Sequence, residues 1–153
     1  MKTAIVISDT HGNISAIEKI LPLINENDYL IHLGDGLNDL RCFSRDIKAN
    51  VFSVAGNCDG GGEDEILEIE KVKILITHGD KYGVKSSLYK LLMRAKEVGA
   101  SVVFYGHTHQ NDITIADGIT LVNPGALNSF IERTYCYAIF HDGKCTVKNV
   151  PIR

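Results

Sequence analysis

Seven side chains able to bind a divalent ion stand at the ends of five successive apolar runs: Asp9 with His11, Asp35, Asn57, His78, and His107 with His109. The set holds two carboxylates, four imidazoles and one amide, and needs no thiolate to complete it. Oxygen and imidazole donors suit Mn²⁺, Fe²⁺, Ni²⁺ or Zn²⁺ better than Cu(I) or an iron–sulfur cluster, and their number exceeds what one ion takes. Two ions fit that number. With a carboxylate bridging them and a shared hydroxide whose pKa they lower, such a pair forms a clamp for in-line attack on phosphorus. That reaction requires no Ser or Cys nucleophile.

Side chains so distant in sequence meet only if the strand ends that carry them lie together, as in a parallel or mixed sheet. Residues 3–8 read as a short β-rich run ending at Asp9. Ile14, Ile17, Leu21 and Ile24 then recur at near-helical spacing, with Asn13 or Ser15 as N-cap and Pro22 placed to kink or interrupt the helix. Residues 29–33 run into Asp35, and Leu37, Leu40, Phe43 and Ile47 predict a second helix. A third run, residues 50–54, leads to Asn57. Residues 66–69 and 72–77 are close enough for a hairpin, whose second arm delivers His78. From Ser86 or Ser87 onward, Leu88, Leu91, Leu92, Ala95 and Val98 share a helical face, and Gly99 sits where a C-terminal glycine cap belongs.

Residues 102–105 read as a strand buried on both faces. His107 and His109 therefore emerge where it ends, in a loop turned by Gly106 that can aim the two rings at different ions. Asp117-Gly118 and Asp142-Gly143 lie between short β-rich runs and are hairpin signals, so the last third is expected to be antiparallel. No linker, repeat or low-complexity tract divides the chain. The expectation is one α/β domain over residues 1–153, with two sheets packed together and helices outside.

A chain of 153 residues buries roughly two thirds of the surface its unfolded form exposes, enough to fold without a disulfide or a structural metal. Its net charge of −3 gives no electrostatic footprint for nucleic acid. Only residues 4–7 are apolar before Ser8-Asp9, too few for a signal-peptide core or a membrane span, so a cytoplasmic protein with no membrane partner is expected. Cys42, Cys58, Cys136 and Cys145 show no C-x-x-C spacing and read as free thiols in a reducing compartment.

Taken in order, Asp9-Thr10-His11, Gly34-Asp35, Gly56-Asn57-Cys58-Asp59, Thr77-His78-Gly79 and Gly106-His107-Thr108-His109 resemble the signature of the calcineurin-like metallophosphoesterases. With Asn123-Pro124-Gly125 added, the chain is similar to the small YfcE-type branch of that family. The resemblance implies a four-layer αββα sandwich of two mixed sheets flanked by helices. It implies two divalent ions, Mn²⁺ first, with Ni²⁺, Fe²⁺, Zn²⁺ or Mg²⁺ as alternatives. Asp9, His11 and His109 would hold one ion, Asn57, His78 and His107 the other, and Asp35 would bridge them. Asp35, Asn57, Cys58 and Asp59 are the candidate catalytic residues.

The residue after the motif asparagine is usually His in the wider family, and here it is Cys58. A thiol is a poor replacement for an imidazolium, and proton transfer to a leaving group is typically worth about 10²–10⁴-fold in rate. The resemblance therefore implies a hydrolase of small phosphodiesters with good leaving groups. The alternatives are a phosphomonoesterase or nucleotide pyrophosphatase on the same ions, or a protein-binding scaffold such as the retromer subunit of this fold. Relatives are often dimers or higher homo-oligomers.

Several residues near the motifs have plainer readings. Asp39 could hydrogen-bond a ligand but reads better as part of a solvated helix face. His32, inside a strand run, reads as a satisfied core histidine, and His141 as an exposed turn residue. Cys42, Cys136 and Cys145 read as small packing residues. Residues 60–65 read as a plain loop in preference to a flap at the site mouth, and Lys81 and Lys85 as solvated in preference to phosphate-binding.

Overall fold

The computed structural model describes residues 1–153. Its elements, in chain order, are β1 (Lys2–Ile7), α1 (Ile14–Asn25), β2 (Tyr29–His32), α2 (Leu37–Arg41), β3 (Asn50–Ser53), β4 (Glu65–Ile69), β5 (Val72–Ile76), α3 (Tyr89–Val98), β6 (Val102–Phe104), β7 (Asp112–Ala116), β8 (Ile119–Asn123), β9 (Thr134–His141) and β10 (Lys144–Pro151). They form two five-stranded mixed sheets, β10-β9-β1-β2-β3 and β4-β5-β6-β8-β7.

The layers follow from alternation along the central strands. Ala4 and Val6 of β1 point into a core shared with Ile74 and Ile76 of β5, Phe104 of β6 and Phe140 of β9, which is the seam between the sheets. Their neighbours Ile5 and Ile7 point the other way, onto Ala16, Ile17, Ile20 and Ile24 of α1. On the far side, Leu75, Val103 and Leu121 meet Leu91 and Ala95 of α3. This is the expected αββα sandwich. Burying each α1 isoleucine stabilises the packing by about 1.5–3 kcal/mol.

Asn13 is the α1 cap: its side chain accepts from Ala16 N–H and donates to the Leu127 carbonyl at 2.8 Å. Pro22 does not end the helix, which continues to Asn25. Pro22 is exposed, so the carbonyl one turn earlier that loses its donor lies on the solvent side. The second helix is shorter than its apolar spacing suggests: α2 stops at Arg41, and turns carry the chain to residue 47. Phe43 still packs under β1 with Leu40 and Ile47 against it, so the spacing recorded burial without helix. Gly99 caps α3 in the left-handed conformation, as expected.

Asp117-Gly118 and Asp142-Gly143 close the β7–β8 and β9–β10 hairpins, with all four residues at positive φ. The last third is not wholly antiparallel, however, because β8 also pairs parallel to β6. Cys42 is exposed, contrary to its reading as a packing residue, whereas Cys136 is buried and Cys145 half-buried. No helix is long and apolar enough to cross a membrane.

Candidate metal centre

The parallel run β1-β2-β3 and the run β5-β6-β8 end on one edge of the sandwich, and the loops beyond those ends bring six of the seven predicted ligands together: Asp9, His11, Asp35, His78, His107 and His109. Asp9 is fully buried. Its Oδ2 accepts from Ser8 Oγ and from the His107 backbone N–H, while its Oδ1 has no hydrogen-bond partner. Facing that orphan oxygen are His109 Nε2 at 3.1 Å and His11 Nε2 at 3.5 Å, themselves 3.3 Å apart. Donor atoms held at about 2.1 Å around one ion lie roughly 3.0–3.4 Å from one another. The three atoms are spaced as ligands of a cation, which would also satisfy an oxygen whose isolation costs about 1–3 kcal/mol.

A second group lies beside the first. Asp35 Oδ2 is 3.2 Å from His78 Nε2, which is 3.2 Å from His107 Nδ1. His78 Nδ1 donates to the Leu33 carbonyl at 2.7 Å, leaving the Nε2 lone pair directed at the Asp35 oxygen. Two electron-pair donors at that distance are suited to a shared cation. Partial burial, with His78 and Lys85 nearby, lowers the pKa of His107 and favours the neutral imidazole that can ligate. The rings of His107 and His109 thus diverge to different groups, as the sequence suggested. Asp35 Oδ2 also lies 3.7 Å from His11 Nε2, so one carboxylate oxygen faces both groups.

The backbone that aims these side chains is strained. Asp9, His11, Asp35, His107 and His109 all have positive φ, between 40° and 71°. Such conformations cost of order 1–3 kcal/mol each and persist only where surrounding structure enforces them. Apart from these five, non-glycine residues at positive φ are confined to the hairpin turns at Glu70, Lys71, Asp117 and Asp142. Gly106 has a different task from the turn expected of it. A Cβ there would stand 2.1 Å from Ser8 Oγ, so its bareness lets the β6 end close on the β1 end. Likewise a Cβ at Gly56 would meet Asp35 Oδ1 at 2.2 Å.

Asp59, read from the sequence as a candidate catalytic group, is turned toward the backbone. Its carboxylate accepts from the N–H groups of Asp35 (2.6 Å), Gly56 (2.9 Å), Gly36 (3.1 Å) and Leu37 (3.2 Å). Burial alone would raise its pKa, but the four donors outweigh that and hold it below the usual carboxylate range. Asp59 is a positioning residue for the Asp35 loop. Asp59→Ala is expected to lower stability by about 2–3 kcal/mol, read as the urea midpoint, and metal affinity by about 10–100-fold. Asp59→Asn, which keeps one acceptor, should recover part of both.

The calcineurin-like phosphoesterase superfamily domain matches residues 1–143. The chain belongs to that family. This phosphoesterase is 36% identical over 140 residues to the probable metallophosphoesterase YsnB of Bacillus subtilis, covering 88% of this chain and 81% of that one. It is 30% identical over 146 residues to the phosphodiesterase MJ0936 of Methanocaldococcus jannaschii, covering 78% and 81%. Among solved structures it is similar to a Streptococcus pneumoniae protein described as a predicted phosphoesterase, with a TM-score of 0.81 and 28% identity over 98% of this chain and 89% of the other. Zinc-bound Vps29 of Entamoeba histolytica shares the fold, at a TM-score of 0.75 and 18% identity, over 97% and 98%.

Other residues of the phosphoesterase site were less legible. Asp39 is not on a solvated face: its Oδ2 accepts from Thr10 Oγ1 at 2.6 Å and from Gly12 N–H at 2.8 Å, tying down the loop that carries His11. His32 completes this chain. Its Nδ1 accepts from Gly34 N–H, so its Nε2 donates to Thr10 Oγ1 at 3.1 Å and links the His11 loop to the Asp35 loop. Asn123 donates to the Gly106 carbonyl and to Thr108 Oγ1, clamping the two-histidine loop. Lys81 is bound to the Gly62 carbonyl and Asp64, so it anchors the 60–65 loop and is not simply solvated. Asn57 and Cys58 are exposed, with Asn57 Nδ2 3.9 Å from Cys58 Sγ. Desolvation and the Asp35 carboxylate raise the pKa of Cys58 and so favour the thiol over the thiolate.

Proposed function

We propose that this phosphoesterase hydrolyses small phosphodiesters at a centre of two divalent ions, one held by Asp9, His11 and His109, the other by His78, His107 and Asn57, with Asp35 common to both. The observation that carries this reading is Asp35 Oδ2, which lies 3.7 Å from His11 Nε2 and 3.2 Å from His78 Nε2. Bound ions supply a water of lowered pKa and neutralise charge on the phosphoryl oxygens. The protein's part is to hold their ligands rigidly: Asp59 and Gly56 fix Asp35, Leu33 fixes the His78 tautomer, and Asn123 clamps His107. Asn57, exposed on the turn that follows β3, orients the phosphate.

No imidazole stands at position 58 to protonate a departing alkoxide, and a thiol with a raised pKa is a weak substitute. Diesters with acidic leaving groups are therefore the favoured substrates. Lys81 is committed to the 60–65 loop and takes no part in phosphate binding.

The test is metal-stripped protein with Mn²⁺, Ni²⁺, Fe²⁺, Zn²⁺ or Mg²⁺ returned singly, assayed on bis(p-nitrophenyl) phosphate, its monoester and alkyl aryl diesters. Turnover should depend on metal, exceed that of the monoester by at least about tenfold, and fall steeply as the leaving alcohol becomes less acidic. Preference for the monoester would move the reading to a phosphomonoesterase. No turnover with any ion, from folded protein, would move it to a scaffold.

A further inference from the structure

Cys58 is the one candidate catalytic residue to which the reaction above gives no task. Its backbone N–H donates to Asp35 Oδ1 at 2.8 Å, fixing the turn over Asn57–Asp59 against the Asp35 loop. So placed, its side-chain sulfur joins a third group of donors: Cys58 Sγ, a His11 imidazole nitrogen and an Asp35 carboxylate oxygen all lie within 4.8 Å of one another. His11 also belongs to the first group described above and Asp35 to the second. The sulfur therefore stands against the atoms where the two groups meet. His11 is shared with the first group, and so joins the sulfur to the candidate cation site described there. Asp9 Oδ1, 3.5 Å from His11 Nε2, is fully buried and has no hydrogen-bond partner.

The geometry points to Cys58 as a further ligand of the centre: when the ion beside His11 and Asp35 is Zn²⁺, Co²⁺ or Cd²⁺, Cys58 Sγ binds it. The inference rests on the two-ion reading. Sulfur is the one soft donor in a set otherwise of oxygen and nitrogen, and thiolate favours these ions over Mg²⁺ and Mn²⁺. As the sulfur–metal bond forms, the S–H bond breaks and the proton leaves to solvent, and no electron is transferred. Cys58 would then set which ions the phosphoesterase retains.

The test is the absorption spectrum of the full chain loaded with Co²⁺, together with Zn²⁺ and Mn²⁺ affinities, for the wild type, Cys58→Ser and Cys58→Ala. The wild type should show a sulfur-to-cobalt charge-transfer band in the near ultraviolet. Both variants should lose that band and keep the visible ligand-field bands of bound cobalt. Zn²⁺ affinity should fall about tenfold or more in the variants, and Mn²⁺ affinity by less than about threefold. Ligand-field bands with no charge-transfer band in the wild type, or a band that survives in the variants, would overturn the Cys58 assignment and leave the two-ion reading standing. No cobalt bound by any of the three folded proteins would overturn both.

Discussion

Asp35→Asn is expected to reduce metal-dependent diester turnover by roughly 10³-fold, the scale on which loss of one preorganised electrostatic partner is felt. The substitution is almost isosteric, and its amide oxygen can still accept from the Cys58 N–H as Asp35 Oδ1 does at 2.8 Å. Asparagine also tolerates the left-handed backbone of this position, φ 59°, so the loop should keep its shape. What changes is the atom at Oδ2. An uncharged amide nitrogen replaces the oxygen that faces His78 and His11, and it offers a hydrogen where an ion needs an electron pair. Bound metal, measured by elemental analysis after dialysis, should fall below one ion per chain, while the urea midpoint stays close to that of the wild type. Full activity with full metal content would show that Asp35 is not the shared ligand.

The largest expected effect on stability lies one step behind the ligands, at His32. This imidazole is fully buried, and its pKa is lowered from 6.5 to about 4. Burial is the cause, and it prevails over the opposing pull of Asp59, Asp9 and Asp39. Protonation would also place a hydrogen on Nδ1, which accepts from Gly34 N–H at 3.0 Å. Because the folded-state pKa lies below the unfolded one, the unfolded chain takes up the proton first as pH falls. Above pH 6.5 its titration has no effect on stability. Between pH 6.5 and about 4 it progressively destabilises the fold, by about 3 kcal/mol in all. In His32→Asn the amide oxygen can take the place of Nδ1, but there is no titrating ring. Such a variant should be less stable at pH 7, because it loses the link to Thr10, yet it should lack this component of acid sensitivity. Parallel curves of unfolding free energy against pH for the two proteins would contradict the assignment.

The two cases show how much of the molecule could be read from the chain. Strand-then-ligand repetition announced the α/β layers and the convergence of Asp9, Asp35, His78, His107 and His109, because parallel strands force their ends to one edge. The Asp-Gly pairs announced two hairpins, because few residues accept the turn they need. Pairing partners were harder to read. The parallel contact between β8 and β6 joins segments with β7 between them in the chain, and no local pattern records it. The solvated reading of Asp39 failed, and the backbone-holding role of Asp59 was missed, for a related reason. A carboxylate on a short helix or turn looks the same in sequence whether it meets water or, as here, the backbone of another loop. The apolar spacing at Leu40, Phe43 and Ile47 was informative about burial and misleading about helix, since turns can present the same face.

The left-handed backbone at Asp9, His11, Asp35, His107 and His109 also limits how this protein can change by drift. Among the common residues only Gly, Asn and Asp occupy that conformation readily, and β-branched side chains are nearly barred from it. A lineage released from the need to hold ions would not lose these positions at random. Its histidines should be replaced chiefly by Asn, Asp or Gly, two of which still offer an oxygen. A site of this build should therefore decay through weakened centres with altered ion preference before it becomes inert, keeping its loops in register while the chemistry fades.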